Sequence, residues 1–142
     1  MPRLTDPGDL AARVASARVG RLATIRPDGS PRLVPITFVV VDGLVCSAVE
    51  TVKPKTSTRL ARLDDVRRDP RVAILVDRYD EDWERLWWVR IDGAAAIREE
   101  FPAAVTALRA KYPRYATAEL DGPVLAVTPS AWTGWSATAA SP

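Results

Sequence analysis

Two Asp-Gly pairs constrain the fold of this chain more than any other feature of its sequence. Asp28-Gly29 follows the alternating segment 21–25, and Asp42-Gly43 separates the apolar segments 32–41 and 44–49. Asp-Gly between such segments is among the strongest signals for a β-hairpin. The sequence therefore predicts three consecutive strands joined as a β-meander.

Pro35 lies inside the second of these strands. Proline has no amide hydrogen and cannot donate to a sheet ladder, so it is confined to edge strands and bulges. We therefore expect an edge or a bulge at this position.

The rest of the chain alternates between helix and strand patterns. Helices are predicted after a cap at Thr5 or Asp6 with Pro7 in the first position, from a cap at Thr56 or Ser57 to Asp69-Pro70, and over 102–111. Further strands are predicted over 71–76, 86–97 and 124–128, the last followed by a kink at Pro129-Ser130 and an aromatic segment, 132–136. About six mostly antiparallel strands and three short helices indicate a mainly β fold, a closed or nearly closed barrel. A chain of 142 residues is expected to form one domain spanning residues 1–142.

The chain contains no histidine, which removes the usual neutral-pH general base and the commonest zinc ligand. Its single cysteine, Cys46, lies in an apolar segment and is interpreted as a small buried residue. The charged loop 78–85 lacks a calcium-loop spacing and is interpreted as a solvated turn, so no metal site is predicted. The N-terminus has no apolar signal region and no segment is long enough to span a membrane, so we expect a cytoplasmic protein that does not bind a membrane.

Basic residues are concentrated in segment 51–71, which has seven of them against three acidic residues. Lys53 and Lys55 flank Pro54 and precede Thr56 at the predicted start of a helix. Helix N-termini favour anions, so this group of residues is a candidate phosphate site. The alternative is a solvated basic face. Nucleic-acid binding is suggested by a pI of about 9.0, but interspersed aspartates and a net charge of +2 argue against it.

Five tryptophans are clustered in two short segments. Adjacent residues on a strand face opposite sides, so one of Trp87 and Trp88 is expected outside the barrel. An exposed indole favours a subunit interface or a flat ligand.

Several motifs occur in this order: Arg21-Leu-Ala-Thr-Ile25, Asp28-Gly-Ser-Pro-Arg32, Val34-Pro-Ile-Thr-Phe38, Lys53-Pro-Lys-Thr56 with Arg59-Leu60, Asp69-Pro-Arg-Val-Ala73, Leu75-Val-Asp-Arg-Tyr-Asp80 through Trp83 to Trp87-Trp-Val-Arg90, and Val89-Arg-Ile-Asp-Gly93. Together they resemble the split β-barrel flavin and deazaflavin oxidoreductases related to pyridoxamine 5′-phosphate oxidase, and the resemblance spans residues 14–135. The segment from Leu75 to Arg90 is similar to the actinobacterial subgroup that uses the deazaflavin coenzyme F420.

The resemblance implies a six-stranded antiparallel split barrel of the FMN-binding type, and a homodimer that holds its cofactor between two barrels. By position, Lys53 and Lys55 match the family's phosphate-binding pair, with Thr56 and Arg59 beside them. The ring of the cofactor would contact Pro35, Ile36, Thr37 and Ser47. Further candidates are Arg78, Trp88 and the segment 132–135. A C-terminal arginine and histidine motif that binds the vitamin B6 phosphate is missing, so oxidation of that vitamin is not expected.

The resemblance thus predicts an F420-dependent oxidoreductase that passes a hydride between the reduced coenzyme and an unsaturated small-molecule substrate. Such chemistry belongs to the cofactor, so a chain without histidine can support it. FMN is the alternative cofactor, in an oxidase or electron carrier with the same fold. A third possibility is a non-enzymatic module whose basic helix binds nucleic acid or a partner protein.

Overall fold

The computed structural model describes residues 3–49, 57–117, 120 and 122–138, and the side chains of residues 57–60 are outside this description. The described residues form eight strands, three α-helices and two 3₁₀ turns. The strands are β1 (Arg3–Leu4), β2 (Gly20–Ile25), β3 (Pro31–Ile36), β4 (Val39–Val41), β5 (Leu44–Ala48), β6 (Arg71–Arg78), β7 (Trp87–Arg98) and β8 (Val124–Ser136). The helices are α1 (Pro7–Ser16), α2 (Ser57–Arg68) and α3 (Pro102–Lys111), and the turns are Trp83–Arg85 and Pro113–Ala116.

All eight strands belong to one antiparallel sheet with the order β3-β2-β6-β7-β8-β5-β4, and β1 pairs with β8. Ile36 ends β3 at one end of this order, and Val39 begins β4 at the other end. Three Cα steps of about 3.8 Å separate them, so the two ends of the sheet lie within about 11 Å. The sheet must therefore curl on itself, and the mainly β, split-barrel prediction is confirmed.

The predicted single strand over 32–41 is wrong, and so is the simple meander. Thr37 and Phe38 separate β3, which pairs with β2, from β4, which pairs with β5. The apolar pattern continues through Phe38 because this residue is fully buried, and it therefore hides the change of partner strand. The strand count is eight rather than about six because of this division and the two-residue β1.

Both predicted hairpin turns are confirmed. Asp42 and Gly43 have φ angles of 51° and 78°, the positive values that a type I′ turn requires. The carboxylate of Asp28 accepts hydrogen bonds from the amide and hydroxyl of Ser30, at 2.9 and 2.6 Å. Pro35 lies in an edge strand as predicted, since β3 pairs only with β2.

The C-terminal segment is one long strand rather than a strand, a kink and a separate aromatic segment. The predicted kink is a β-bulge, because Asp92 pairs with Ala131 and Gly93 with Pro129, which leaves Ser130 as the extra residue. At the bulge the two backbones approach closely. A Cβ atom on Gly93 would lie 2.3 Å from the carbonyl oxygen of Thr128, so only glycine fits.

The helices pack against the sheet, α1 against β7, α2 against β2 and β7, and α3 against β4. Asp6 caps α1 by accepting from the amide of Asp9 at 3.0 Å, and Pro7 is the first helical residue, as predicted. Helix α2 ends before Asp69-Pro70 and buries Leu63 and Val66, also as predicted. The predicted cap at Thr56 or Ser57 lies outside the described side chains.

Helix α3 has the predicted bounds, 102–111. Within the described ranges, no helix is long and apolar enough to cross a membrane.

Candidate functional site

A cleft of about 270 Å³ opens beside the connection between β3 and β4. The four residues that the resemblance assigns to the cofactor ring all line it: Pro35, Ile36, Thr37 and Ser47. Val19, Ala48, Arg62 and Tyr115 complete its wall. Because β3 and β5 are far apart in the strand order, only the curl of the sheet brings Ser47 beside the other three.

Two hydroxyl groups meet in this wall. The Oγ1 atom of Thr37 lies 2.7 Å from the phenol oxygen of Tyr115, and either oxygen can be the donor. Thr37 is partly exposed, whereas Tyr115 is 2% exposed. The threonine therefore lies nearer to the opening of the cleft than the tyrosine does. The cleft therefore combines an apolar wall with a hydrogen-bonding group that is already fixed in place.

The connection between β3 and β4 is anchored by the end of α3. The amide of Phe38 donates to the phenol oxygen of Tyr112 at 3.0 Å, and the carbonyl oxygen of Phe38 accepts from the Nζ atom of Lys111 at 3.0 Å. Burial, with a smaller effect of the nearby Arg18, lowers the pKa of Lys111 to about 8. The backbone amide and carbonyl groups of Phe38, which lies between β3 and β4, are thus hydrogen-bonded to side chains.

Arg62 reaches the cleft from α2, and an ion-pair cluster around Asp65 holds this helix against the sheet. The carboxylate of Asp65 accepts from Arg32 of β3 at 2.6 Å and from the hydroxyl of Thr24 in β2 at 2.8 Å. A third bond comes from Arg68, at 3.3 Å. Burial acts to raise the pKa of Asp65, but these bonds outweigh it and the pKa lies below its ordinary value.

The predicted phosphate-binding residues cannot be placed. Lys53, Lys55 and Thr56 lie outside the described residues, and so does the side chain of Arg59. Their assignment stays a prediction.

Arg78 and Trp88 do not line the cleft. They lie in a second, larger groove of about 540 Å³ on the outer face of β2, β3, β6, β7 and β8. The groove is mostly apolar, with Leu33, Leu75 and Trp135 in its wall. Leu33 is 68% exposed, which is unusual for a leucine on a strand and leaves an uncovered apolar surface.

The tryptophan pair at the start of β7 divides as predicted. Trp87 is 7% exposed and packs in the barrel core, whereas Trp88 is partly exposed on the outer face. Trp88 pairs directly with Trp135 of β8. Paired residues of antiparallel strands share a face of the sheet, so the two indoles form one aromatic patch in the groove.

The cleft and the groove are neighbours. Arg21, which lines the groove, pairs across the ladder with Pro35, which lines the cleft. The two side chains therefore share a face of the β2–β3 ribbon. A molecule that covers the groove would border the cleft.

Tyr115 lines the cleft and was missed by the sequence analysis. It lies in the 3₁₀ turn Pro113–Ala116, where neither helical nor strand periodicity applies, and no signal in the sequence marks it. Val19 and Ala48 were also missed, because Val19 precedes β2 and Ala48 ends β5, and a single apolar residue at such a position carries no signal of ligand contact.

The Asp80 and Asp82 carboxylates of the charged loop bond within the loop. Asp82 begins the turn Trp83–Arg85 by accepting from the amide of Glu84 at 3.2 Å, and Asp80 pairs with Arg78 at 3.4 Å. Among the described side chains, no three acidic or cysteine residues are grouped so that they could hold a metal ion.

Comparison with known proteins identifies the family. Residues 7–136 match the pyridoxamine 5′-phosphate oxidase family. The chain belongs to this family. The match runs from the first residue of α1 to the last residue of β8, so the cleft and the groove both lie within the part of the chain that defines a pyridoxamine 5′-phosphate oxidase family member.

Several solved structures of bacterial proteins share the fold. A conserved hypothetical protein from Mycobacterium tuberculosis superposes with a TM-score of 0.78 at 24% identity, over 95% of this chain and 87% of that one. An FAD-binding protein from Mesorhizobium loti gives a TM-score of 0.70 at 19% identity, over 94% and 95% of the two chains. The FAD-binding protein from Mycobacterium smegmatis gives 0.62 at 22% identity, over 94% and 97%. Likenesses at this level of identity establish the common fold.

Proposed function

We propose that this chain is a homodimeric oxidoreductase that binds coenzyme F420 and passes a hydride between the reduced coenzyme and an unsaturated organic substrate. The observation that supports this most is the convergence of Pro35, Ile36, Thr37 and Ser47 on one cleft. These residues come from opposite ends of the strand order, and the resemblance to the F420-dependent subgroup assigns all four to the cofactor ring.

The cleft suits a flat ring with polar edges. Pro35, Ile36 and Val19 offer apolar surface, while Thr37 and Ser47 offer hydroxyl groups. Its volume of about 270 Å³ is just below the roughly 300–1,000 Å³ of pockets that enclose a whole drug-sized ligand. The cleft therefore suits the ring alone, with the tail of the coenzyme outside it.

The tail carries a phosphodiester and several glutamates, and cationic side chains would bind it. Arg62 lies at the cleft, on α2, the helix that follows Lys53 and Lys55 in the sequence. We assign the tail to Arg62, because it lines the cleft, and to the residues that the resemblance assigns to the phosphate: Lys53, Lys55, Thr56 and Arg59.

When bound, the deazaflavin supplies the hydride chemistry. This chain's residues orient the ring, hold its tail and exclude water from the cleft wall. None of these roles needs a histidine. The absence of histidine from the sequence is therefore compatible with the proposed function.

We propose that a second copy of the chain binds to the groove. Leu33, Leu75, Trp88 and Trp135 form an uncovered apolar and aromatic surface there. The three arginines that line the groove are each paired with an aspartate: Arg21 with Asp77 at 3.3 Å, Arg78 with Asp80 at 3.4 Å and Arg90 with Asp92 at 3.2 Å. Such a face can meet its own copy without net repulsion. The Arg21–Pro35 pairing would then place the second copy at the mouth of the cleft.

A flavin in the same cleft is the second candidate. The Mesorhizobium loti and Mycobacterium smegmatis neighbours are FAD-binding proteins, and the chain shares their fold. An electron carrier or oxidase with FMN or FAD would use the same ring subsite.

Obstruction of the cleft tests the proposal. Val19 is 41% exposed at the rim, so Val19→Trp adds bulk at the opening without overfilling the core. We expect this variant to bind F420 at least tenfold more weakly than wild type with an unchanged melting temperature, whereas the matched Val19→Ala variant keeps wild-type affinity. Equal F420 affinity of Val19→Trp and Val19→Ala would place the cofactor elsewhere.

A further inference from the structure

We propose that Tyr115 is a positioning residue that fixes the hydroxyl of Thr37 for a hydrogen bond to an oxygen atom of the bound ring. This inference rests on the proposed function and names a specificity-determining contact within the same cleft. It assigns a role to the residue that the sequence analysis did not find.

The two hydroxyl-bearing residues differ in how accessible they are from the cleft. Their oxygens lie 2.7 Å apart, within the range of a strong O–H···O bond. Tyr115 is 2% exposed and Thr37 is partly exposed, so a ligand in the cleft meets the threonine first. Of the pair, only Thr37 is placed for direct contact.

The chemistry of the pair sets the direction of the bond. A phenol is more acidic than an alcohol and is the better donor, so the hydrogen of Tyr115 is placed on the Oγ1 atom of Thr37. The hydroxyl group of Thr37 can then donate its own hydrogen to a ligand in the cleft. A hydroxyl that accepts one bond becomes a stronger donor in the next, so Tyr115 strengthens the bond from Thr37 to a ligand oxygen.

Tyr115 itself is held firmly. Its carbonyl oxygen accepts from Arg109 at 2.6 Å, and its ring contacts the edge of Tyr112 with centroids 5.6 Å apart. Thr37 is also fixed, because the adjoining Phe38 is bonded to Tyr112 and Lys111. The hydroxyl pair is therefore set before any ligand enters, and this lowers the ordering cost of binding.

Tyr112 offers a matched control. Its phenol oxygen bonds the amide of Phe38 and lies 3.0 Å from the carbonyl oxygens of Arg18 and Phe38, and Tyr112 does not line the cleft. Tyr112→Phe and Tyr115→Phe thus remove the same atom from neighbouring buried rings. The first change removes a bond to the backbone next to Thr37, and only the second removes a member of the hydroxyl pair.

The experiment measures dissociation constants and melting temperatures for Thr37→Val, Thr37→Ser, Tyr115→Phe, Tyr112→Phe and the double variant Thr37→Val with Tyr115→Phe. The ligands are F420 and its ring-bearing fragment, the deazariboflavin without phosphodiester or glutamates. We expect Thr37→Val and Tyr115→Phe each to weaken both ligands by about 3- to 10-fold, the scale of one neutral hydrogen bond.

The double variant should bind as weakly as Thr37→Val alone, because Tyr115 acts through Thr37. Thr37→Ser should retain affinity within about twofold. Tyr112→Phe should lower the melting temperature and weaken binding less than Tyr115→Phe does, because it removes a bond to the backbone of Phe38 but keeps the hydroxyl pair. Lys55→Ala should weaken F420 alone, since the fragment lacks the tail.

Wild-type affinity in Tyr115→Phe, or additive losses in the double variant, would overturn this inference while leaving the proposed function intact. Failure of wild type to bind either F420 or the fragment would overturn both.

Discussion

The Nε atom of Arg32 donates to the Oδ2 atom of Asp65 at 2.6 Å, and this ion pair joins the edge strand β3 to helix α2. Asp65 is 1% exposed and Thr24 bonds the same carboxylate. Removing one partner of a buried ion pair leaves the other charge without compensation. We therefore predict that Asp65→Asn lowers the free energy of unfolding by about 2–4 kcal/mol, measured by urea denaturation at neutral pH.

The adjacent residue supplies the control for this prediction. Asp64 pairs with Arg67 at 3.2 Å, but both side chains are more than half exposed. Asp64→Asn should change stability by less than about 0.5 kcal/mol. Equal effects of the two substitutions would mean that the Asp65 cluster does not hold α2 in place.

Lys111 should give the protein a measurable pH dependence. Its folded-state pKa is lowered to about 8 from 10.5, chiefly by burial, so the unfolded chain binds more protons between these values. The contribution of Lys111 to the free energy of unfolding must then increase as pH rises from about 8 to about 10.5. We predict that wild type gains stability relative to Lys111→Met between pH ~7.5 and pH ~9.5, as measured by urea denaturation.

Groups that titrate in both wild type and Lys111→Met, including Tyr112, contribute equally to the two free energies of unfolding. Their contributions therefore cancel in the difference between the two proteins. A difference in stability that stays constant across this pH range would contradict the burial of the Lys111 amine beside Phe38.

The groove should govern self-association. Leu33 lines the groove and is 68% exposed, so Leu33→Asp can place a charge there without disturbing the core. We predict a dimer for wild type by analytical ultracentrifugation, and a dissociation constant at least tenfold higher for Leu33→Asp.

Trp83 provides a comparison, because it is 69% exposed and does not line the groove. Trp83→Gln should leave the dimer unchanged. A monomeric wild type would contradict the proposed role of the groove.

Local signals in the sequence predicted local structure well. Helix α3 has the predicted bounds, the Asp42-Gly43 turn has the expected positive φ angles, and Pro35 lies on an edge strand. In each case the evidence is the chemistry of one or two residues, namely backbone freedom, a fixed φ or a missing donor.

Non-local features could not be predicted in the same way. The change of partner strand at Thr37 and Phe38 depends on how the sheet closes, and both sides of the break are apolar. Tyr115 reaches the cleft from a turn 78 positions after Thr37, and no periodic pattern encodes that contact. The resemblance found four cleft residues because it carries information on the closed fold.

Binding of the coenzyme tests the central claim most directly. The purified protein would be titrated with F420 and, separately, with FMN, while the fluorescence of its five tryptophans is followed. The account predicts saturable binding of F420 with a dissociation constant of about 10 µM or lower, and at least tenfold weaker binding of FMN. Preference for FMN would assign the cleft to a flavin, and binding of neither would contradict the cofactor site.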